Sequence, residues 1–522
     1  MDSELLHQLL IRSAHTNPDA LALRDEAGDL SYSELLEEAC RLAKWLLDCG
    51  LDRGEPVAIL MERRREQAVA IFASSLAGGS FVVLSPQHKP RQLQHILSHC
   101  GARFLLVQPS FHGRVLGFKG HSLLLDSLLP PCRPIAVDEA GTLCWCAIRS
   151  SFEPELPSLA TTLHGDDLGT IIYTSGSTGL AKGVLIPQRN LVRGAEIVGG
   201  YLNLRAEDRL LGVLSFAFDY GLNQLTSAVH AGASLVLHDY FLARDLVPLL
   251  REEAITGFAG LRPIWLAMFQ GRFAVSQSQD DPPNFPALRY VTNTGGTIPS
   301  PVLKAMRRYF PAAEIYLMYG LTEAFRSTYL PPLELPQRPT SIGKAIPGVE
   351  VLVIDDKGQE VGPGEEGELI HAGELVARGY LDDDEATSRV FRPDPRPAHQ
   401  GMVVYSGDVV RRDEEGFLYF VSRRDELIKA AGHRVSPTEI EEAALRCCAA
   451  TQAVAFAREA EEGHNLEIVL ILEAEGETVD LRALRNALRD ELPSYMLPGS
   501  IRLEARLPRT ATGKIDRAAL RR

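Results

Sequence analysis

The sequence predicts an α/β protein: a large N-terminal domain of helix-flanked β-sheets, then a small C-terminal α+β domain. Three observations predict it. Helical and strand-like periodicities take turns through the first 160 residues, the pattern of a parallel sheet with helices packed on its faces. At 522 residues the chain is too long for one small core, and its length suggests two to four structural units. Composition then shifts past residue 422, where charge-rich text restarts with its own apolar strand and amphipathic helix.

In chain order, Ser31 followed by Glu34 has capping-box spacing. Behind it Leu35, Leu36, Ala39, Leu42, Ala43, Leu46 and Leu47 recur at helical period until Gly50 stops the run. PVAILM (56–61) reads as a buried strand, a second helix follows over roughly 64–78, and FVVL after Gly78-Gly79 is a second strand. TIIYT, ASLVLH and EIYLMYG are further strands. No repeat of 20 to 50 residues is visible, which argues against a solenoid. RPDPRPAH (392–399) is a stiff proline-rich loop. Later, Ile468 to Leu472 is an apolar strand, and a helix from Asp480 carries Leu481, Leu484, Leu488 and Leu492. The predicted boundary falls at Arg423 to Asp425, giving domains 1–422 and 423–522. The tail LPRTATGKIDRAALRR is polar and suits a segment that docks without building core.

Charge and cysteine content exclude several classes. Lys plus Arg total 54 against 68 Asp plus Glu, a formal −14, so the basic footprint of a nucleic-acid binder is missing. With 45% hydrophobic and 23% charged residues the chain is a folding, not a disordered, one. No apolar run approaches the roughly 18 residues of a membrane span, and the N-terminus interrupts its apolar residues with charge, unlike a signal peptide. Cys144-x-Cys146 and the adjacent Cys447 and Cys448 lack zinc-type spacing and read as small buried thiols. A soluble, cytoplasmic protein is expected.

The strongest local signal is TIIYTSGSTGLAKGVLIPQRN, 170–190. An apolar strand runs into Thr174, Ser175, Gly176, Ser177, Thr178 and Gly179, with Lys182 at the exit. Glycines let backbone N–H groups turn toward a phosphate and hydroxyls add donors without bulk. Lys182 follows Ala181 and precedes Gly183, so the nucleotide P-loop pattern is not met. GPGEEG (362–367) has GxGxxG form, but it contains Pro363 and leads into the strand-like ELIHAGEL; it reads as a turn.

YTSGSTGLAKG resembles the phosphate loop of the adenylate-forming superfamily, which includes acyl-CoA synthetases, peptide-synthetase adenylation domains and luciferases of the firefly type. MYGLTEA (318–324), GELIHAGELVARGYL (367–381), YSGDVVRRDEEGFLYFVSRRDELIKAAGHRVSPTEIE (405–441) and PRTATGKIDR (508–517) resemble its later motifs in the same order. FDYGLNQL (218–225) and YGLTEAFRSTYLPP (319–332) are most similar to exosortase-associated acyl-CoA ligases and to stand-alone amino-acid-activating ligases. The resemblance implies ATP-dependent activation of a carboxylate as an acyl-adenylate, with Mg²⁺. Transfer to a thiol follows, that of CoA or of a carrier protein's phosphopantetheine acting in trans.

It also implies roles for individual positions. Thr322 and Glu323 match residues near the α-phosphate and magnesium, with Thr174 a second metal candidate, and a carboxylate oxygen suits that hard ion. Thr174 to Gly179, Lys182 and Tyr319 match the nucleotide site, and Asp408 and Arg423 the ribose-hydroxyl contacts. Lys514 matches the lysine that bridges carboxylate and α-phosphate, and Lys429 one used in the second step by some members. Asp425 falls at the hinge of a mobile small domain, and Gly432 where the pantetheine arm passes. Three positions depart from the family pattern: Gln188 replaces a frequent His, Ser422 a Gly, and Leu427 a polar residue. Gln188 puts in doubt any pocket inference from His-bearing members.

In amino-acid-activating members an aspartate shortly after an aromatic residue holds the substrate ammonium, and Asp219 is similarly placed. Tyr220, Asn223, Gly295, Met318 and Arg326 complete the expected substrate set. Phe216, Phe218 and Leu222 flank Asp219, so its carboxylate needs a cation. Two readings stay open. The substrate brings an amine, with a second carboxylate read by Arg326; or Arg326 pairs with Asp219 internally beside a plain acyl acid. A luciferase-type oxygenase has no recognisable pocket in the sequence. An inactive nucleotide-binding scaffold is opposed by the presence of Lys514, Glu323 and Asp408.

Overall fold

The computed structural model describes residues 4–115, 118–124, 143–159, 162–175, 181–240, 242–269, 275, 284–296, 298, 300–423, 428–430, 433–435, 437–448, 450, 452–459, 466–474, 479–508 and 517–520. Two compact units are formed: one of residues 1–86, 96–173 and 183–422, the other of 87–95, 174–182 and 423–522.

Local signals act as expected in the first unit. Ser31 caps the helix Tyr32–Asp48: its hydroxyl accepts from the Glu34 N–H, and the Glu34 carboxylate accepts from the Ser31 N–H. PVAIL forms the strand Pro56–Leu60, the following helix is Arg65–Leu76, and the next strand is Ser80–Leu84. All twelve residues of that helix are buried, so it is not a one-sided surface helix.

The helix-flanked sheets expected of the large domain are two. One has seven strands, with Pro56–Leu60 at its centre, flanked in parallel by Phe104–Val107 and Ser80–Leu84. The larger is mixed. Its parallel half runs from Leu21–Asp25 through Ser234–Leu237, Arg209–Gly212, Gly257–Leu261 and Tyr290–Thr294 to Glu314–Tyr319. Beyond Tyr319 the direction alternates, with Thr328–Leu330 and Ser341–Ala345 antiparallel. The connection from Tyr319 to Thr328 is too short for the crossover that a parallel strand requires. The first four residues of GPGEEG turn in the connection between Val349–Ile354 and Glu366–Gly373, and its last two open the second strand.

Gln188 begins the helix Gln188–Tyr201, and its side chain is engaged in packing. Its Oε1 accepts from the Leu6 N–H (3.0 Å) and the Ser75 hydroxyl (3.2 Å), while Ser75 Oγ contacts His7 Nδ1 at 3.0 Å. Because Gln188 Oε1 only accepts, Ser75 donates to it and its oxygen accepts from the Nδ1–H of a neutral His7. Burial pushes the His7 imidazole down to about 4. The unfolded chain therefore takes up a proton below pH ~6.5 that the folded chain refuses until about pH 4, and stability falls across that window by about 3 kcal/mol. Urea titrations of the parent and His7→Gln check this: the parent is expected to lose more between pH 7 and 4, and equal losses would remove His7 as the cause.

The second unit has its own core. The strands Gln452–Glu459 and Leu466–Glu473 pair antiparallel, and Ser500–Glu504 joins in parallel. Helices Pro437–Cys447 and Leu481–Glu491 supply Ile440, Ala443, Leu484 and Leu488 to that core. Asp480 caps the second, accepting from the N–H groups of Arg482 and Ala483. A ribbon of Ile428–Ala430 and His433–Val435 completes the unit's strands among the described residues.

Candidate active site

Asp219 opens the helix Asp219–Ala231 after an extended Phe218, where the exposed N–H groups and the dipole favour an anion. Its Oδ1 accepts from the Tyr220 N–H at 2.9 Å and its Oδ2 from Arg326 Nη1 at 3.1 Å. The internal ion pair that the sequence left open thus exists.

An unusual backbone delivers Arg326. The strand Glu314–Tyr319 leads to the 3₁₀ turn Thr322–Ala324, after which Phe325 has φ +53° and ψ −51°. The Arg326 N–H reaches back to the Ala324 carbonyl at 2.6 Å. These are the features of the rare γ-turn with positive φ at its centre, and a residue held so costs about 1–3 kcal/mol. Phe325 is fully buried, its ring against Gly194 on the helix Gln188–Tyr201. A Cβ at Gly194 would lie 2.5 Å from Phe325 Cε1, so only glycine fits beside that ring. Arg326 Nη1 also donates to the Phe325 carbonyl at 3.1 Å, and its guanidinium lies 5.0 Å from the Tyr220 ring centroid.

Tyr220, Asn223 and Met318 line one small cavity of about 20 Å³, joined by Ser227 and Thr292, with Leu210 among its apolar walls. The Tyr220 hydroxyl is hydrogen-bonded to Thr292 Oγ1 and Tyr201 donates to Met318 Sδ. Asn223 Nδ2 and Ser227 Oγ are buried without a hydrogen-bond partner among the described residues. Gly295 is different: it lies exposed on the turn after Tyr290–Thr294, with φ +74°, and does not line the cavity.

Toward the antiparallel half of the large sheet, Asp408 is fully buried on Met402–Arg412. Its Oδ2 accepts from the Tyr319 hydroxyl at 2.5 Å, and its N–H donates to Ser406 Oγ. The Tyr319 ring stacks on His371 with centroids 6.0 Å apart. Glu323 and the half-buried Thr322 occupy the 3₁₀ turn just beyond. Glu323 Oε1 accepts from the Tyr380 hydroxyl at 2.7 Å, and its carbonyl from the Ala377 N–H. Among the described residues no three His, Cys, Asp or Glu side chains gather as a metal cage. One hard carboxylate still fits magnesium, which is commonly held by one or two carboxylates, substrate phosphates and water.

Thr174 and Lys182 end one strand and begin the next, Leu168–Ser175 and Ala181–Pro187, both half-buried. Ser175, Arg423 and Lys429 are described as strand positions. Gly176, Ser177, Thr178, Gly179, Asp425, Gly432 and Lys514 lie outside the described residues. Sequence reasoning missed Phe325, Gly194, Ser227, Thr292 and Tyr380. A glycine inside a helical pattern was a signal for Gly194, and Asn223 with Ser227 at i, i+4 marks a polar stripe on one helix face.

Residues 10–381 match the AMP-binding enzyme family, and 439–514 its C-terminal domain. A buried carboxylate–tyrosine pair and a charged pair beside a cavity accompany this two-part match. The chain belongs to the AMP-binding enzyme family. It is 33% identical over 524 residues to phosphinothricin tripeptide synthetase PhsC of Streptomyces viridochromogenes, covering 99% of this chain and 45% of that one. It is 32% identical over 524 residues to tyrocidine synthase 3 of Brevibacillus parabrevis, covering 99% of this chain and 8% of that one. The chain thus spans less than half the length of these curated relatives. Among solved structures VinN, also solved with L-aspartate, is 27% identical with TM-score 0.68 alone and 0.67 with that ligand, over 80% of this chain and 98% of VinN. o-Succinylbenzoate CoA synthetase of Bacillus subtilis, at 24% identity and TM-score 0.82 over 98% of both chains, shares the fold. Among the described residues no helix is long and apolar enough to cross a membrane.

Proposed function

We propose that the chain is an ATP-dependent, AMP-forming acid–thiol ligase whose acid carries an amine. A carboxylate oxygen attacks the α-phosphorus of ATP and pyrophosphate leaves, giving the adenylate. A pantetheine thiol of a carrier protein, or of CoA, then attacks the acyl carbon, AMP leaves and the thiol proton is released. The charged pair Asp219–Arg326 carries the amine reading, because a neutral acyl chain needs neither charge. The likeness to VinN, solved with L-aspartate, and to peptide synthetases supports it.

Asp408 and Arg423 are assigned to the ribose hydroxyls with Tyr319 positioning the carboxylate, and Thr174 to Gly179 and Lys182 to the phosphates. When bound, magnesium would neutralise phosphate charge beside Glu323 and Thr322. Motif position alone assigns Lys514 to the first step, Lys429 and Gly432 to the second, and Asp425 to a hinge between domains 1–422 and 423–522.

ATP–pyrophosphate exchange across amino acids, amino dicarboxylates and plain acids tests this. Exchange is expected with amine-bearing acids, and Asp219→Ala is expected to lower it at least ~10-fold, as loss of a charged hydrogen-bond partner does. A second reading, a plain acyl-CoA synthetase, is favoured by one observation: Asp219 already has its cation in Arg326. Exchange confined to plain acids would establish it, and no exchange with any acid would revive the scaffold.

A further inference from the structure

Lys182 is the cation assigned above to the ATP phosphates, and the residues on either side of it are tethered. The Ala181 carbonyl lies 3.1 Å from His95 Nε2. A carbonyl only accepts, so Nε2 carries the hydrogen and donates. On the other side, Gly183 packs against the Tyr173 ring. A Cβ there would lie 3.2 Å from Tyr173 Cζ and 2.7 Å from Ile171 Cγ2, an approach that only glycine permits. Tyr173 is itself held: its hydroxyl is 2.8 Å from His99 Nδ1, and the two rings meet edge to face with centroids 5.8 Å apart.

Both imidazoles come from one helix, Pro90–His99, and at i and i+4 they share a face of it. Leu93, Ile96 and Leu97 of that helix are buried, so the imidazoles stand on a seated base. His99 thus reaches the strand that enters the phosphate run, Leu168–Ser175, and His95 the strand that leaves it, Ala181–Pro187. Those strands are neighbours at one edge of the seven-stranded sheet. A cation already in place when charge develops costs no reorganisation at that moment, so a backbone fixed on both sides of Lys182 favours adenylate formation.

We propose, resting on the ligase reading above, that His95 and His99 are positioning residues for ATP. They hold the two strands that frame the phosphate run, and so fix Lys182 against the triphosphate. They act through Ala181 and Tyr173 and take no part in bond making. A packing role would be met by any side chain of similar bulk, whereas positioning needs hydrogen bonds at these particular atoms.

Amide side chains separate the two roles. Glutamine carries its amide nitrogen where histidine carries Nε2, and asparagine places its amide where histidine carries Nδ1. Rescue is therefore expected to cross over. His95→Gln and His99→Asn keep most of the activity, and His95→Asn and His99→Gln lose it. Tyr173→Phe keeps the ring over Gly183 and removes only the hydroxyl.

The test uses the full chain with ATP and magnesium. It reads pyrophosphate exchange with the best acid of the panel above, and equilibrium ATP binding. Tyr173→Phe and the two mismatched amides are expected to lower kcat/KM for ATP at least ~10-fold with KM for the acid unchanged, since small misplacements cost up to ~100-fold. Parental kcat/KM in these three variants would overturn the proposal. Equal losses in matched and mismatched amides would overturn it too, because they are the mark of packing alone. So would a KM for the acid that rises with that for ATP. A parent that exchanges with no acid sinks the ligase reading, and ATP affinity then decides the proposal by the same crossover. Thermal melts identify any variant that fails to fold, in which case Tyr173→Phe, short of one oxygen, decides.

Discussion

Lys514→Ala is expected to lower ATP–pyrophosphate exchange by about 100- to 1,000-fold while ATP affinity changes little. The size follows from the reaction. A carboxylate must approach a triphosphate, so repulsion rises on the way to the transition state and charge gathers around the α-phosphorus. A preorganised donor aimed there is worth about 2.7–4 kcal/mol. A chain of net charge −14 has no diffuse positive field to substitute for one lost cation. Single-turnover adenylate formation and equilibrium ATP binding separate the effects. Exchange at parental rate would mean that another cation holds the α-phosphate, and parallel loss of ATP binding would move Lys514 to the ground state.

Gly194→Ala is expected to damage substrate selection through a residue that touches no substrate. Its new methyl would overlap Cε1 and Cδ1 of Phe325, at 2.5 and 2.7 Å. Phe325 is fully buried, and overpacking of this kind costs about 1–3 kcal/mol. Displacing Phe325 also displaces the γ-turn that aims Arg326, so kcat/KM for the amine-bearing acid is expected to fall at least ~10-fold, since small misplacements cost up to ~100-fold. Gly199→Ala on the same helix is the control: its nearest neighbour, His230, is at an ordinary 3.7 Å. There stability is expected to rise by about 0.5–1 kcal/mol, the helix-propensity difference. Thermal melts with substrate kinetics check both, and equal behaviour of the two variants would refute the coupling through Phe325.

Legibility followed the range of the forces involved. The capping box at Ser31 and Glu34 acts within one turn of helix, so four letters suffice to read it. The strands at Pro56 and Ser80 are short apolar runs whose burial is their own signature. The charged partners Asp219 and Arg326 are readable because a carboxylate among apolar residues demands a cation. Which cation is not readable: that depends on a γ-turn at Phe325, and positive φ at a phenylalanine has no compositional mark. The two-sheet division is hidden because the pairing of strands is a long-range choice. Motif position draws Gly295 into the substrate set, whereas the chain places it on an exposed turn. Gln188 reads as a departure in the pocket, and its side chain instead ties Leu6 to Ser75.

The pairing of Leu21–Asp25 with Ser234–Leu237 sets an order of events for the chain as it is made. The first strand of the large sheet must wait for a partner encoded more than two hundred residues later. At about 5–20 residues per second, a ribosome needs on the order of 10 to 40 seconds to deliver that partner. Until then one side of Leu21–Asp25 is covered by the hairpin strand Gly28–Ser31, and the other is an open edge on which a neighbouring nascent chain can pair. The seven-stranded sheet gathers its central strands, Pro56–Leu60, Ser80–Leu84 and Phe104–Val107, well before that point. Its assembly can therefore shelter the helices around it while the second sheet is unfinished, and any pause in translation between residues 110 and 234 prolongs the interval of greatest exposure.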